Sequence, residues 1–474
     1  MLESFNQKIN QMDIILRKNE SFDIIRTSLQ VAARQAAYYY VEGFVKVESL
    51  VKIHDTVIKI NAEQLGQAGN NLFTFASLFI PHVSYRTTEN LLDAADCVLK
   101  GMAVYIMEGF SDVLILDIRF YPSRETKEPE KNRTLRGPHE GFVENLLQNT
   151  VLIRRRLATS DLTFERFQIG EESKTDVVLA YMNNKVNQDV LHKVRTKICN
   201  LKLKSLTMSQ ETLSENFFFK DGFLPKLNPL PRVRYVERPD TAVAQLTEGK
   251  LLILVDTSPA VMVLPVCMYD FFEETEDYYF PPFTGSYLRI VRFIIFFASI
   301  LLAPSWLLSF EYREMLPKVL SFLDVTTSYT LPIFIQLLIL EFAIDGIKIA
   351  SLNTPSTLSN SLSVVGGLLL GDFAVKAGWF VPDTILCAAF TALSNFIPTN
   401  YELGYSSKFA RLLLIILVAS FQLWGFIAGI LIIIIVLCTT RTIEGKSYLY
   451  PVYPFNQKVF FRLFFRHTKG KEGN

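Results

Sequence analysis

Five stretches toward the C-terminal end carry no Asp, Glu, Lys or Arg: residues 293–310, 325–340, 349–371, 384–401 and 412–440. A helix needs roughly 20 mainly apolar residues to cross a hydrocarbon layer about 30 Å thick. The pattern therefore predicts an all-α polytopic membrane domain over 281–440. Tyr287 and Arg289 precede the first stretch and Trp306 stands near its end, the residue types that anchor a span at the two interfaces. As one helix, 412–440 would reach about 43 Å, too long for an untilted crossing. A break or hairpin near Gly425 is expected. Leu72–Ile80 is also strongly apolar but short, and predicts a buried core element.

The first half alternates differently. Residues 36–42, AAYYYVE, read as a strand, and VESLVKIHDTVIKI at 47–60 reads as a helix. The same succession recurs as DVVLAYM at 176–182 and VNQDVLHKVRTKICNL at 186–201. Further on, GMAVYIMEGFSDVLILDI at 101–118 has the layout of GKLLILVDTSPAVMVLPV at 249–266, each an apolar strand, a turn and a second apolar strand. These blocks predict two related α+β subdomains, 1–134 and 135–280, the second opening with a linker helix. In that linker Pro138 suits a first helical turn. Glu140 at the start and Arg154, Arg155 and Arg156 at the end complement the helix dipole, and the basic end is expected to be solvated.

Composition sharpens the division. Residues 293–440 hold 14 of the 95 charged residues, about 9% of their length, whereas the remaining 326 hold 81, about 25%. A formal net charge of +1 gives no reason to expect a nucleic-acid partner. Five scattered cysteines without a C-x-x-C pair argue against a disulfide scaffold or thiolate zinc site. The histidines share no metal-ligand spacing. With no G-x-x-x-x-G-K-[ST], G-x-S-x-G or HExxH present, neither enzyme activity nor a cofactor is expected.

MLESFNQKIN carries charge where a signal peptide would begin its apolar region. A long domain followed by Arg289 and Arg292 predicts a cytoplasmic N-terminal region, and the tail 441–474, rich in Lys and Arg, predicts the same side. Five simple crossings would put the ends on opposite sides, so a hairpin or re-entrant segment is required and the crossing count stays open.

Charges within the membrane half are candidate functional groups. Glu341, Asp345 and Lys348 share one helical face at i, i+4, i+7, and Asp372 and Lys376 repeat the i, i+4 spacing. They either mark helix ends at the water interface or face an aqueous path. Segment 354–376 is rich in hydroxyls before a Val/Leu zone, which predicts a pore-lining helix. Asn360, Val364, Leu368 and Asp372 are its candidate lining residues, with an apolar constriction able to gate by dewetting. Gly367/Gly371 and Gly425/Gly429 are G-x-x-x-G pairs for close helix packing.

RGPHEGFVENLLQNTVLIRRRL, from Arg136 and Gly137 onward, resembles the most recognisable stretch of the spore germination A-subunit family. The likeness continues through YYFPPFTGSYLRIVRF at 278–293, IASLNTPSTLSNSLSVVGGLLLGDFAVKAG at 349–378 and YLYPVYPFN at 448–456. YVEGFVK at 40–46 and the tail look most like its stage V sporulation AF branch. The resemblance implies a multi-pass protein of the spore inner membrane with a cytoplasmic N-terminal region. It further implies a homo-oligomer passing monovalent cations, working with a small membrane partner or with receptor B and C subunits. The rival reading is a receptor or scaffold subunit that docks partners without conducting ions. A secondary transporter would need inverted repeats, and the five stretches show no paired Gly/Pro interruptions.

Overall fold

The computed structural model describes residues 2–69, 71–80, 83–121, 137–218, 227–274, 276–312, 329–353, 367, 374–395 and 400–464. The chain forms two compact units: residues 1–219 with 233–265, and residues 220–232 with 266–474.

The first unit contains two five-stranded antiparallel sheets. In the first, β1 (Ile24–Val31), β2 (Arg34–Val41), β3 (Ser84–Thr88), β4 (Ala103–Met107) and β5 (Val113–Asp117) take the order β1-β2-β4-β5-β3. In the second, β6 (Leu162–Ile169), β7 (Thr175–Met182), β8 (Arg234–Val236), β9 (Leu251–Val255) and β10 (Val261–Leu264) take the order β6-β7-β9-β10-β8. The two orders are the same, so the repeat read from the sequence is a repeat of topology. Helices occupy corresponding places: α2 (Val47–Ile58) after β2 and α7 (Gln188–Asn200) after β7, α5 (Leu91–Leu99) before β4 and α9 (Pro239–Thr247) before β9.

Period-2 alternation explains why AAYYYV reads as a nearly continuous apolar run. Ala36 and Tyr38 enter the core under α2, α3 (Ala62–Gln67) and α4 (Leu72–Phe79), while Ala37, Tyr39 and Val41 enter the opposite core with α1 (Leu2–Leu16) and α5. Burial pushes the Tyr39 phenol well above its usual pKa, with Asp13 adding to the effect. β4 divides likewise, with Tyr105 on one face and Val104 and Ile106 on the other.

The linker differs from expectation. Helix α6 spans Leu146–Arg156, and Asn145 caps it by accepting from the Gln148 N–H at 3.0 Å. Pro138 therefore lies outside the helix. Nor is the basic end solvated as a whole, because Arg154 is fully buried.

The second unit is helical: α10 (Glu276–Tyr279), α11 (Pro282–Glu311), α12 (Ile333–Asn353), α13 (Pro382–Ser394), α14 (Tyr401–Thr439) and α15 (Gln457–Phe464), with α8 (Ser209–Phe218) belonging to the first unit. Among the described residues, α11 and α14 are long and apolar enough to cross a membrane. The interfacial reading of α11 needs correction at two positions: Trp306 is buried in the helical core and Arg289 is buried against acidic groups, whereas Tyr287 is exposed.

Helix α14 is interrupted at Gln422, whose φ of 51° and ψ of −128° are not helical. A Cβ added at Gly425 would sit 1.9 Å from the Leu417 carbonyl oxygen, and one at Gly429 would sit 2.6 Å from a Leu414 methyl. In a straight helix residues eight and fifteen apart are separated by about 12 and 22 Å. The element is thus a helical hairpin, 401–421 and 423–439, bent three residues earlier than Gly425. Its second arm returns the chain to the end where α11 begins: the Met268 N–H donates to the Tyr448 carbonyl at 3.0 Å, and Phe464 packs on Phe293 at 5.1 Å. Gly425→Ala is expected to force the arms apart and cost about 1–3 kcal/mol, read as a lower melting temperature of the detergent-solubilised protein; an unchanged melting temperature would contradict the hairpin contact.

Candidate functional site

The helical unit buries two charge clusters: Arg289 and Arg292 meet Asp277 at the start of α11, and a second cluster joins α12 to the first arm of α14. Helix α12 carries Glu341 and Asp345 one turn apart, and the first arm of α14 carries Lys408 and Arg411 at i, i+3, so each pair shares a helical face. Arg411 grips Glu341 with two guanidinium nitrogens, Nε to Oε1 at 2.6 Å and Nη2 to Oε2 at 3.1 Å, and donates through Nη1 to the Ser299 carbonyl of α11 at 2.9 Å. Lys408 Nζ donates to the Glu341 main-chain oxygen at 2.9 Å, stands 3.5 Å from Glu341 Oε2 and pairs with Asp345. Glu341, Lys408 and Arg411 are almost fully buried, but the Asp345 side chain keeps 27% of its exposure. Two anions and two cations cancel, which is what allows them inside an apolar bundle.

Asp345 is also the outlet of this network. With Lys348, Asn395, Tyr401, Gly404, Tyr405 and Lys408 it lines a polar crevice. Lys348 lies over the Tyr405 ring, 5.4 Å from its centroid. The Asn395 Oδ1 atom is buried and has no hydrogen-bond partner among the described residues.

The sequence reading named Glu341, Asp345 and Lys348 but missed Lys408 and Arg411. Their signal was there: two cations three residues apart immediately before the charge-free 412–440 stretch. Lys376 ends the single turn Ala374–Lys376 and is exposed. Gly367 is exposed, and Gly425 and Gly429 pack inside the hairpin. Asn360, Val364, Leu368, Asp372 and Gly371 lie outside the described residues, as does Arg136 of the linker motif.

The rest of that motif builds a joint between the two sheets. Helix α6 is shared: Val151 enters the core of the first sheet, and Leu146, Leu152 and Ile153 enter that of the second. Arg154 spends its five N–H donors on five bonds. Nε and Nη2 meet the two Asp23 carboxylate oxygens at 2.9 Å each, Nη2 also reaches Ser21 Oγ at 3.2 Å, and Nη1 reaches the Thr159 and Leu162 carbonyls at 3.0 Å. Ser21 Oγ in turn accepts from the Phe164 N–H at 3.1 Å, and the Phe22 N–H donates to the Phe164 carbonyl. Glu140 pairs with Arg155 at 3.5 Å and Arg156 at 2.9 Å rather than capping the helix. Gly137 has a φ of 111°, open to glycine, and the Pro138 carbonyl accepts from Arg238 at 2.9 Å. Among the described residues no group of three or more His, Cys, Asp or Glu side chains could hold a metal ion.

The family described as Bacillus/Clostridium GerA spore germination protein matches residues 10–472. The chain is similar to stage V sporulation protein AF of Bacillus subtilis (strain 168), 31% identical over 449 residues that cover 95% of this chain and 90% of that protein. It is similar to the uncharacterized membrane protein YfkQ of the same strain, 30% identical, covering 82% and 75%, and to its spore germination protein KA, 29% identical, covering 76% and 66%. Among solved structures, it is similar to the N-terminal domain of the A subunit of the Bacillus megaterium spore germinant receptor GerK3, with 23% identity and a TM-score of 0.41, covering 54% of this chain and 92% of that one.

Proposed function

The chain belongs to the Bacillus/Clostridium GerA spore germination protein family, and from that premise we propose that it acts in germination as a non-enzymatic, multi-pass subunit of a homo-oligomeric assembly that passes or gates monovalent cations. The observation that supports ion passage is the half-open end of the charge network. A partly exposed carboxylate, Asp345, and an amide oxygen without a hydrogen-bond partner among the described residues, Asn395 Oδ1, border one polar crevice. Oxygen groups of this kind replace the hydration shell of a hard cation.

The rival is a scaffold subunit that docks partners, and the saturated Glu341–Arg411 pair favours it, since a fully bonded charge pair holds helices and moves no ion. Flux through purified protein in liposomes separates the two. Conduction that falls several-fold in Asp345→Asn supports the channel. A bilayer that stays tight under all activating conditions supports the scaffold. Val364→Ala, at the expected constriction, should leak ions from dormant spores; normal ion retention at normal protein levels would exclude Val364 from a gate.

A further inference from the structure

Lys408 ends in a cage of oxygens. Its side chain keeps 4% of its exposure, on a helix long and apolar enough to cross a membrane. Three oxygens surround Nζ: the Glu341 carbonyl at 2.9 Å, Glu341 Oε2 at 3.5 Å and the Asp345 carboxylate. An ammonium has three N–H donors and no acceptor, so the cage satisfies it much as oxygens satisfy a dehydrated cation. A fourth oxygen borders the same space. Gly404 lies one turn before Lys408, and a Cβ there would sit 2.9 Å from the Asn395 carbonyl oxygen. The glycine lets Asn395 lie against the arm, where its buried Oδ1 has no hydrogen-bond partner among the described residues. Asn395, Asp345 and Lys408 line one crevice of about 10 Å³, room for a single water-sized particle.

The charges divide in the same sense. Arg411 holds Glu341 through two guanidinium nitrogens and keeps it paired whatever Lys408 does. Lys408 is thus the counter-charge of the second carboxylate, Asp345. Its departure would leave one negative charge among dehydrated oxygens, an arrangement that draws in a counterion. Ammonium and potassium ions carry the same charge and are similar in size. A tethered ammonium in such a cage is therefore a stand-in for a free monovalent cation.

We propose that Lys408 Nζ occupies, as a built-in competitor, a site for a potassium-sized monovalent cation formed by the Glu341 carbonyl, the Asp345 carboxylate and Asn395 Oδ1. With the ammonium in place the site is plugged. When the side chain swings away, a free cation takes the same oxygens. The inference rests on the reading of this crevice as part of an ion path, and it adds what the crevice binds and what blocks it.

The test removes the ammonium and offers the ion. Lys408→Met in the full chain keeps the length of the stem, and its thermal unfolding in detergent is followed in choline, sodium, potassium and rubidium chloride at one ionic strength. The variant should melt below wild type in choline. In potassium or rubidium its melting temperature should rise saturably, by about 3 °C or more at a hundredfold excess over half-saturation. Wild type, whose tethered ammonium competes, should need roughly tenfold more salt for the same rise. Adding Asp345→Asn should abolish the rise, and adding Asn395→Ala should raise the half-saturating concentration about tenfold. No rise in any salt overturns the proposal, whether the place stays empty or Lys348 takes it. A rise as large in sodium as in potassium, equal in wild type and variant, or surviving Asp345→Asn also overturns it. Should Lys408→Met not fold, wild type gives the answer: reductive methylation of Lys408, read by mass spectrometry, should run several-fold faster in potassium than in choline chloride, and equal rates overturn the site. Liposome flux keeps the two readings apart. Potassium binding to Lys408→Met beside liposomes that stay tight supports the site and fails ion passage, whereas flux without binding fails the site alone.

Discussion

Arg411→Met is expected to cost about 3–5 kcal/mol of stability, because it leaves the Glu341 carboxylate in the helical core without its bidentate partner. The Ser299 carbonyl of α11 would lose its donor at the same time. Adding Glu341→Met should recover most of the loss, since two apolar side chains of similar length replace a pair whose desolvation consumed much of its attraction. Lys408 would remain paired with Asp345 in that double variant. Thermal unfolding of the detergent-solubilised protein reads the comparison. A double variant as unstable as the single would mean that Glu341 and Arg411 are not coupled.

A comparable loss is expected at the joint of the two sheets. Arg154→Met removes five hydrogen bonds and strands Asp23, itself buried and bonded to Ser21 Oγ at 2.6 Å. About 3–5 kcal/mol should again disappear. Arg154→Lys should recover only part of this, because an ammonium cannot supply the planar fork that meets both Asp23 oxygens. Denaturant unfolding of the full chain should report the drop. Proteolysis should show cutting first in the 137–161 linker, and stability within about 0.5 kcal/mol of wild type would contradict the joint.

The parts of the fold legible in the sequence were those whose own residues carry the signal. The central strands alternate between two apolar cores, so AAYYYV and DVVLAYM stand out, and their hairpin partners β4–β5 and β9–β10 follow the same rule. The edge strands were harder. β1 buries only its two ends and β3 has no fully buried residue, so neither stands out by hydrophobicity. The linker helix was placed too early because Pro138 and Glu140 mimic a helix start, while the cap at Asn145 carries the geometric evidence. The candidate site was half legible. Glu341, Asp345 and Lys348 could be grouped because they share one helix, but their partners lie 63 and 70 residues away on α14. Pairing across helices leaves no local period to read.

The Arg154–Asp23 bond has a consequence in time. The two residues are 131 positions apart, and the strands of the first sheet end at Asp117. A ribosome therefore delivers every strand of that sheet, together with Asp23, before Arg154 has been made. Until then the Asp23 carboxylate has only water and Ser21 to satisfy it, and must keep access to solvent. The first sheet can form early, but the surface around Asp23 closes only when α6 arrives, which makes docking of the second sheet the step that completes the first.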